Sequence, residues 1–136
     1  MPLMTWNDTL SVGVAEIDTD HKKLIQLVNE LFDAMLAQKG KDVLGKTLDG
    51  LIAYTAQHFA REERLFARTD YPGAAAHKTT HLSLVKQVLE IQQKYNAGHT
   101  ATLSIEVMNF LKSWLANHIN GDDRKACQYL NSKGVH

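Results

Sequence analysis

The stretch HKTTH, His77 to His81, places two imidazoles one helical turn apart. Residues at i and i+4 project from adjacent turns on the same face of a helix. On a solvent face such a pair carries no consequence. On a core face two polar rings need partners, and a metal ion can take both at once. The meaning of the pair depends on which way its helix faces and on where the other histidines fall.

Working outward, the flanking sequence has helical rather than strand periodicity, and glycine and both prolines sit mostly at punctuation points. The helix carrying the pair is predicted over about 74–96, with Leu84, Val88, Ile91 and Tyr95 facing inward and NAG ending it. Before it, RTDYPG is a loop, since Pro72 and Gly73 both break helices. A preceding helix is expected over about 42–67, with Leu44, Leu48, Leu51 and Thr55 on one stripe and Gly45 and Gly50 weakening its first turns. An earlier one spans about 18–38, with Leu24, Val28, Leu31 and Met35 on its stripe, and QKGKD closes it. The last begins near Ala101 and aligns Val107, Leu111 and Trp114. NGDD interrupts it, and a short helix follows through Leu130. Residues 1–17 read as a non-helical arm with Trp6 as its packing anchor. The expectation is an all-α, antiparallel up-down-up-down four-helix bundle, one domain over residues 1–136.

Each apolar stripe, continued at the same spacing, runs into a polar residue. The first helix runs back from Leu24 to His21, and the second runs on from Thr55 to His58 and Glu62. The third runs back from Leu84 to His81 and His77, and the fourth runs on from Trp114 to His118. In an up-down-up-down bundle these helix ends lie together. A single core histidine is more often a hydrogen-bonded structural residue than a ligand. Five histidines and a glutamate converging from four helices are not explained that way.

Imidazole and carboxylate without cysteine suit iron, zinc or manganese, and five imidazoles exceed the needs of one tetrahedral zinc. Two metals bridged by carboxylates fit better, with Glu62 as one bridge and the other drawn from HINGDD. Strict helical geometry selects Asp122, four residues after His118. Asp123 reaches the same face only if the helix widens there, as in a π-type turn.

Composition narrows the alternatives. Lys+Arg and Asp+Glu both number 15 in 136 residues, so no net charge draws the chain to nucleic acid or to an anionic membrane. No apolar run approaches membrane-spanning length, and the N-terminus lacks the pattern of a secretory signal. The one cysteine, Cys127, excludes an internal disulfide and suits a reducing, cytoplasmic location. His99 and His136 are expected to be solvated bystanders, and Glu63 to face solvent or a neighbouring helix. Asp18 and Asp20 read as capping residues of the first helix, with Asp20 alternatively placed to orient a metal ligand.

The stretches EIDTDHKKL, HFAREERLF, YPGAAAHKTTH and FLKSWLANHINGDD, in this order and spacing, resemble the hemerythrins, and among them the single-domain bacterial ones. That resemblance implies two iron ions (ferrous or ferric) sharing an oxo or hydroxo bridge, with His21, His58, Glu62, His77, His81, His118 and Asp123 as ligands. It places His77, His81 and His118 on one iron and His21 and His58 on the other, which keeps a position open. It further implies that dioxygen binds there reversibly, held as a hydroperoxide, for carriage, storage or delivery, and that the protein is not an enzyme. Leu24, Phe59, Trp114, Leu115 and Ile119 are the expected apolar wall of the oxygen pocket. Partners would be dioxygen and an oxygen-consuming enzyme or a reductase. Two other classes stand beside this one: oxygen or redox sensing through a separate partner, and a di-iron enzyme such as a peroxidase or nitric-oxide-reducing protein. Tyr54 and Tyr95 are the tyrosines whose placement bears on the last.

Overall fold

The computed structural model describes residues 2–136, so of the expected arm only Met1 lies outside it. Four long helices form an antiparallel bundle: α1 (Ala15–Leu36), α2 (Lys41–Thr69), α3 (Ala74–Asn96) and α4 (Ile105–His118). A π-helical turn at Ile119–Asp123 joins α4 to α5 (Arg124–Ser132), and single 3₁₀ turns occur at Asp8–Leu10 and Thr100–Thr102. No strand occurs among the described residues. α1 packs on α2 and α4, and α2 packs on α3. The fold class is therefore the expected one.

The expected stripes are buried. Leu24, Val28 and Leu31 of α1, Leu48 and Leu51 of α2, Leu84 and Val88 of α3, and Met108, Leu111 and Leu115 of α4 share one core. Their spacing of three and four residues gives each helix a single apolar stripe. Gly45 and Gly50 do not break α2. Gly45 lies against Tyr95, where an added Cβ would stand 3.6 Å from the ring. The Tyr95 hydroxyl donates to the Lys41 carbonyl at 3.0 Å, fixing the end of α3 to the start of α2. This places Tyr95 at the far end of the bundle from the convergent histidines.

The boundaries differ from expectation at three points. α1 begins at Ala15, so the last residues of the supposed arm are helical. Asp18 caps nothing: it accepts from the Ser11 hydroxyl at 2.5 Å and the Val12 amide at 2.9 Å, tying the arm to the helix. Its charge still suits the positive first turn. α4 begins at Ile105 rather than near Ala101, because Ser104 supplies the N-cap, accepting from the Val107 amide at 3.3 Å. NGDD does not interrupt the final helix but widens it.

The arm is held by more than Trp6, which is only half-buried beneath the Lys22 ammonium. Met4, Leu10, Val12 and Val14 are the buried anchors. Asn29 clamps Met4, accepting from its amide at 2.9 Å and donating to its carbonyl at 2.7 Å. Arg124 donates to the carbonyls of Thr9 and Ser11, and Asn131 donates to that of Gly13. Gly13 has φ of +77°, and an added Cβ would come within 2.9 Å of Asn131, so only glycine fits this turn.

Candidate metal centre

Seven side chains from four helices and the π turn meet at one end of the bundle. His21, His58, Glu62, His77, His81, His118 and Asp123 are all buried, none more than 4% exposed. They fall into two overlapping groups whose ligand-type atoms lie within 4.8 Å of one another. One comprises His77, His81 and His118 with Glu62 and Asp123, and the other His21 and His58 with the same two carboxylates.

The carboxylates divide their oxygens between the groups. Glu62 turns Oε1 toward His58 Nε2 at 2.5 Å and Oε2 toward His77 Nε2 at 3.1 Å. Asp123 turns Oδ2 toward His21 Nε2 at 2.9 Å and Oδ1 toward His77 and His118 Nε2 at 3.0 and 3.1 Å. These approaches are close but misaligned for hydrogen bonding. Nε2 of His21, His58 and His77 and all four carboxylate oxygens lack a hydrogen-bond partner. Buried polar atoms left unpaired are costly. Lone pairs aimed at common centres instead of at donors are the arrangement cations would satisfy.

The electrostatics match. Burial opposes charge on Asp123, but the imidazoles of His118, His21 and His77 outweigh it and hold the carboxyl well below its ordinary range. Burial likewise opposes charge on His58 and His77, yet the carboxylates beside them lift both to about 9. Burial, reinforced by the charges of His77 and His118, pushes His81 down to about 2. Without metal, the carboxylates thus retain protons on neighbouring rings, and a metal would displace them.

The π turn directs one of the paired aspartates toward the cluster. With one residue added to the turn, the side chain five positions after His118 returns to the core face. Asp123 is fully buried, whereas the Asp122 side chain is 56% exposed and reaches His118 Nδ1 from outside at 3.3 Å.

Outer contacts orient the rings. Asp20 accepts from His58 Nδ1 at 2.8 Å, so its alternative role, orienting a ring, is the one the fold realises and capping is not. The Tyr54 hydroxyl donates to the same carboxylate at 2.8 Å, and Arg61 donates as well. Burial would raise the Asp20 carboxyl, but His58, Tyr54 and Arg61 together lower it to about 2. Glu63 lies 3.3 Å from His81 Nδ1. Glu63 thus meets a neighbouring helix, as expected, while the contact of Asp122 with His118 has no counterpart in the sequence reading, although an acidic residue next to a candidate ligand is the available signal.

Of the five apolar residues expected around the centre, Leu24, Phe59, Trp114 and Leu115 line a cavity of about 40 Å³ that touches His21, His58 and His118. Ile119 is fully buried but does not line it. Phe59 stacks on His81 with ring centroids 3.7 Å apart and planes within 3°, and Trp114 stacks on His118 at 4.5 Å. Thr55 also lines the cavity, but its hydroxyl is spent on the Leu51 carbonyl at 2.7 Å. His99 and His136 are exposed and remote from the cluster. Cys127 is buried, and burial pushes its thiol pKa upward. No helix among the described residues is long and apolar enough to cross a membrane.

Comparison with known proteins agrees with this geometry. The family model for the hemerythrin HHE cation binding domain matches residues 12–130. A bacteriohemerythrin of Stenotrophomonas maltophilia is 37% identical over 124 residues, covering 91% of this chain and 79% of that protein. One from Methylococcus capsulatus is 36% identical over 125 residues, covering 91% and 94%. A crystal structure of wild-type hemerythrin superposes with a TM-score of 0.88 at 35% identity, covering 94% of this chain and 98% of that one. The chain belongs to the hemerythrin family.

Proposed function

We propose that this chain holds two iron ions and binds dioxygen reversibly, for carriage, storage or delivery to an oxygen-consuming enzyme. The observation that carries this reading is the division of Glu62 and Asp123, each with one oxygen toward the three-histidine group and one toward the two-histidine group. His77, His81 and His118 would hold one iron and His21 and His58 the other. Glu62, Asp123 and an oxo or hydroxo bridge would be shared. Iron held there in the ferrous state would supply the two electrons needed to bind dioxygen.

The chain's own residues favour release over further oxidation. Five imidazoles and only two carboxylates give the centre more neutral than anionic donors, which favours the ferrous state. The cavity borders both histidines of the two-histidine group but only His118 of the other, consistent with ligand entry on the less saturated side. Its volume of about 40 Å³ suits a diatomic molecule, whereas sites for larger organic substrates run to roughly 300 Å³ and above. Leu24, Phe59, Trp114 and Leu115 present no proton donor to it other than the indole of Trp114, and the Thr55 hydroxyl is already engaged.

The test is anaerobic reconstitution with ferrous iron, admission of oxygen, then deoxygenation, following the visible spectrum. A charge-transfer band that appears and vanishes over repeated cycles is expected. Immediate decay to a stable diferric spectrum would support redox chemistry or sensing instead. Failure to take up two irons per chain would overturn the proposal.

A further inference from the structure

The five histidines of the cluster are not oriented alike. His58 Nδ1 meets Asp20 Oδ2 at 2.8 Å, and Asp20 is only 1% exposed. His81 and His118 meet carboxylates at the longer distance of 3.3 Å, and both of those, Glu63 and Asp122, reach solvent. His21 Nδ1 is buried with no partner at all. Of these Nδ1 atoms, only that of His58 makes a short contact to a buried carboxylate.

Because an ionised carboxylate only accepts, Asp20 requires the His58 proton on Nδ1. Once a metal displaces the other proton, the lone pair lies on Nε2, the atom facing Glu62 in the two-histidine group. A carboxylate behind a ring also draws the Nδ1 proton away and strengthens the donor at Nε2. Burial keeps solvent from screening the effect. Asp20 is itself held: its second oxygen accepts from Tyr54 and Arg61, and Arg61 continues to Glu16 at 3.2 Å. The two-histidine position has one nitrogen fewer than its neighbour, and Asp20 backs one of the two it has.

We propose that Asp20, held by Tyr54 and Arg61, is a positioning residue that makes His58 the strongest imidazole donor of the cluster and so sets the affinity and reduction potential of the two-histidine metal position. This rests on the two-metal reading above.

The test compares the full-length wild type with Asp20→Asn and Tyr54→Phe, using ferrous iron as the probe under anaerobic conditions. Iron affinity is measured by competition with a chelator, and the midpoint potential by redox titration. Asp20→Asn keeps the shape and removes the charge. It is expected to weaken one of the two sites by about 10- to 100-fold and to raise the potential. Tyr54→Phe removes one donor from Asp20, leaving it a stronger acceptor for His58, and is expected to lower the potential with both sites retained. Opposite signs would not arise from lost packing. Unchanged affinity and potential in Asp20→Asn would overturn the proposal, as would shifts of the same sign in both variants. If Asp20→Asn does not fold, Tyr54→Phe decides: a lower potential supports the proposal, and an unchanged or higher one defeats it. Failure of the wild type to bind two irons would defeat the underlying two-metal reading instead.

Discussion

Replacing Phe59 by leucine separates the packing of the centre from its metal. Phe59 is 4% exposed and stacks on His81 at 3.7 Å with planes within 3°. Leucine removes three side-chain carbons, worth roughly 2 kcal/mol at about 0.8 kcal/mol per buried carbon. The lost ring–ring contact adds about 1 kcal/mol. The metal-free protein should therefore lose about 3 kcal/mol, which a domain of roughly 5–15 kcal/mol survives. In urea, with a slope near 2 kcal/mol/M, the midpoint should fall by about 1.5 M. Metal titration should show the three-histidine position weakened, because His81 is no longer held in plane, and the two-histidine position little changed. A midpoint shift below about 0.5 M, or equal weakening of both positions, would refute the claim that this ring both packs the core and orients His81.

The register of the π turn predicts that Asp123→Ala abolishes uptake of a second metal while Asp122→Ala leaves two metals bound, as measured by metal content after gel filtration. The reverse would mean that the helix is not widened there. Chelation of the metal should lower the melting temperature by roughly 12–16 °C, since ligand at about a thousand times its Kd contributes roughly 4 kcal/mol; calorimetry with and without chelator checks this. Asp20 is held at about 2 against an ordinary 3.8, so its carboxylate stabilises the fold above pH 3.8 and the contribution disappears as pH falls toward 2. The loss is roughly 2.5 kcal/mol, and urea unfolding of the metal-free protein at pH 5 and pH 2.5 should show most of it in the wild type but not in Asp20→Asn.

Much of the bundle was legible because apolar spacing reports directly on the buried face of a helix. Leu24, Val28 and Leu31, or Leu84 and Val88, face inward whatever surrounds them. Where the polar residues continued those stripes, they pointed at the candidate centre too: His21, His58, Glu62, His77, His81 and His118 lie where the periodicity placed them. Helix ends were less legible. Asp18 has the chemistry of a cap, yet the helix begins earlier and the carboxylate instead accepts from Ser11 and Val12 of the arm.

The helices and their inward faces are properties of local spacing, and the imidazoles gather at one end once such helices alternate in direction. The remaining features depend on how the helices dock. His118 and Asp123 share a face because the chain forms a π turn, a rare widening of the helix that residue spacing does not announce. Asp20 lies behind His58 across 38 positions of sequence, and Glu63 behind His81 across 18. No local pattern encodes such meetings. They follow from how α1 and α3 dock against α2, and that docking is set by the whole core.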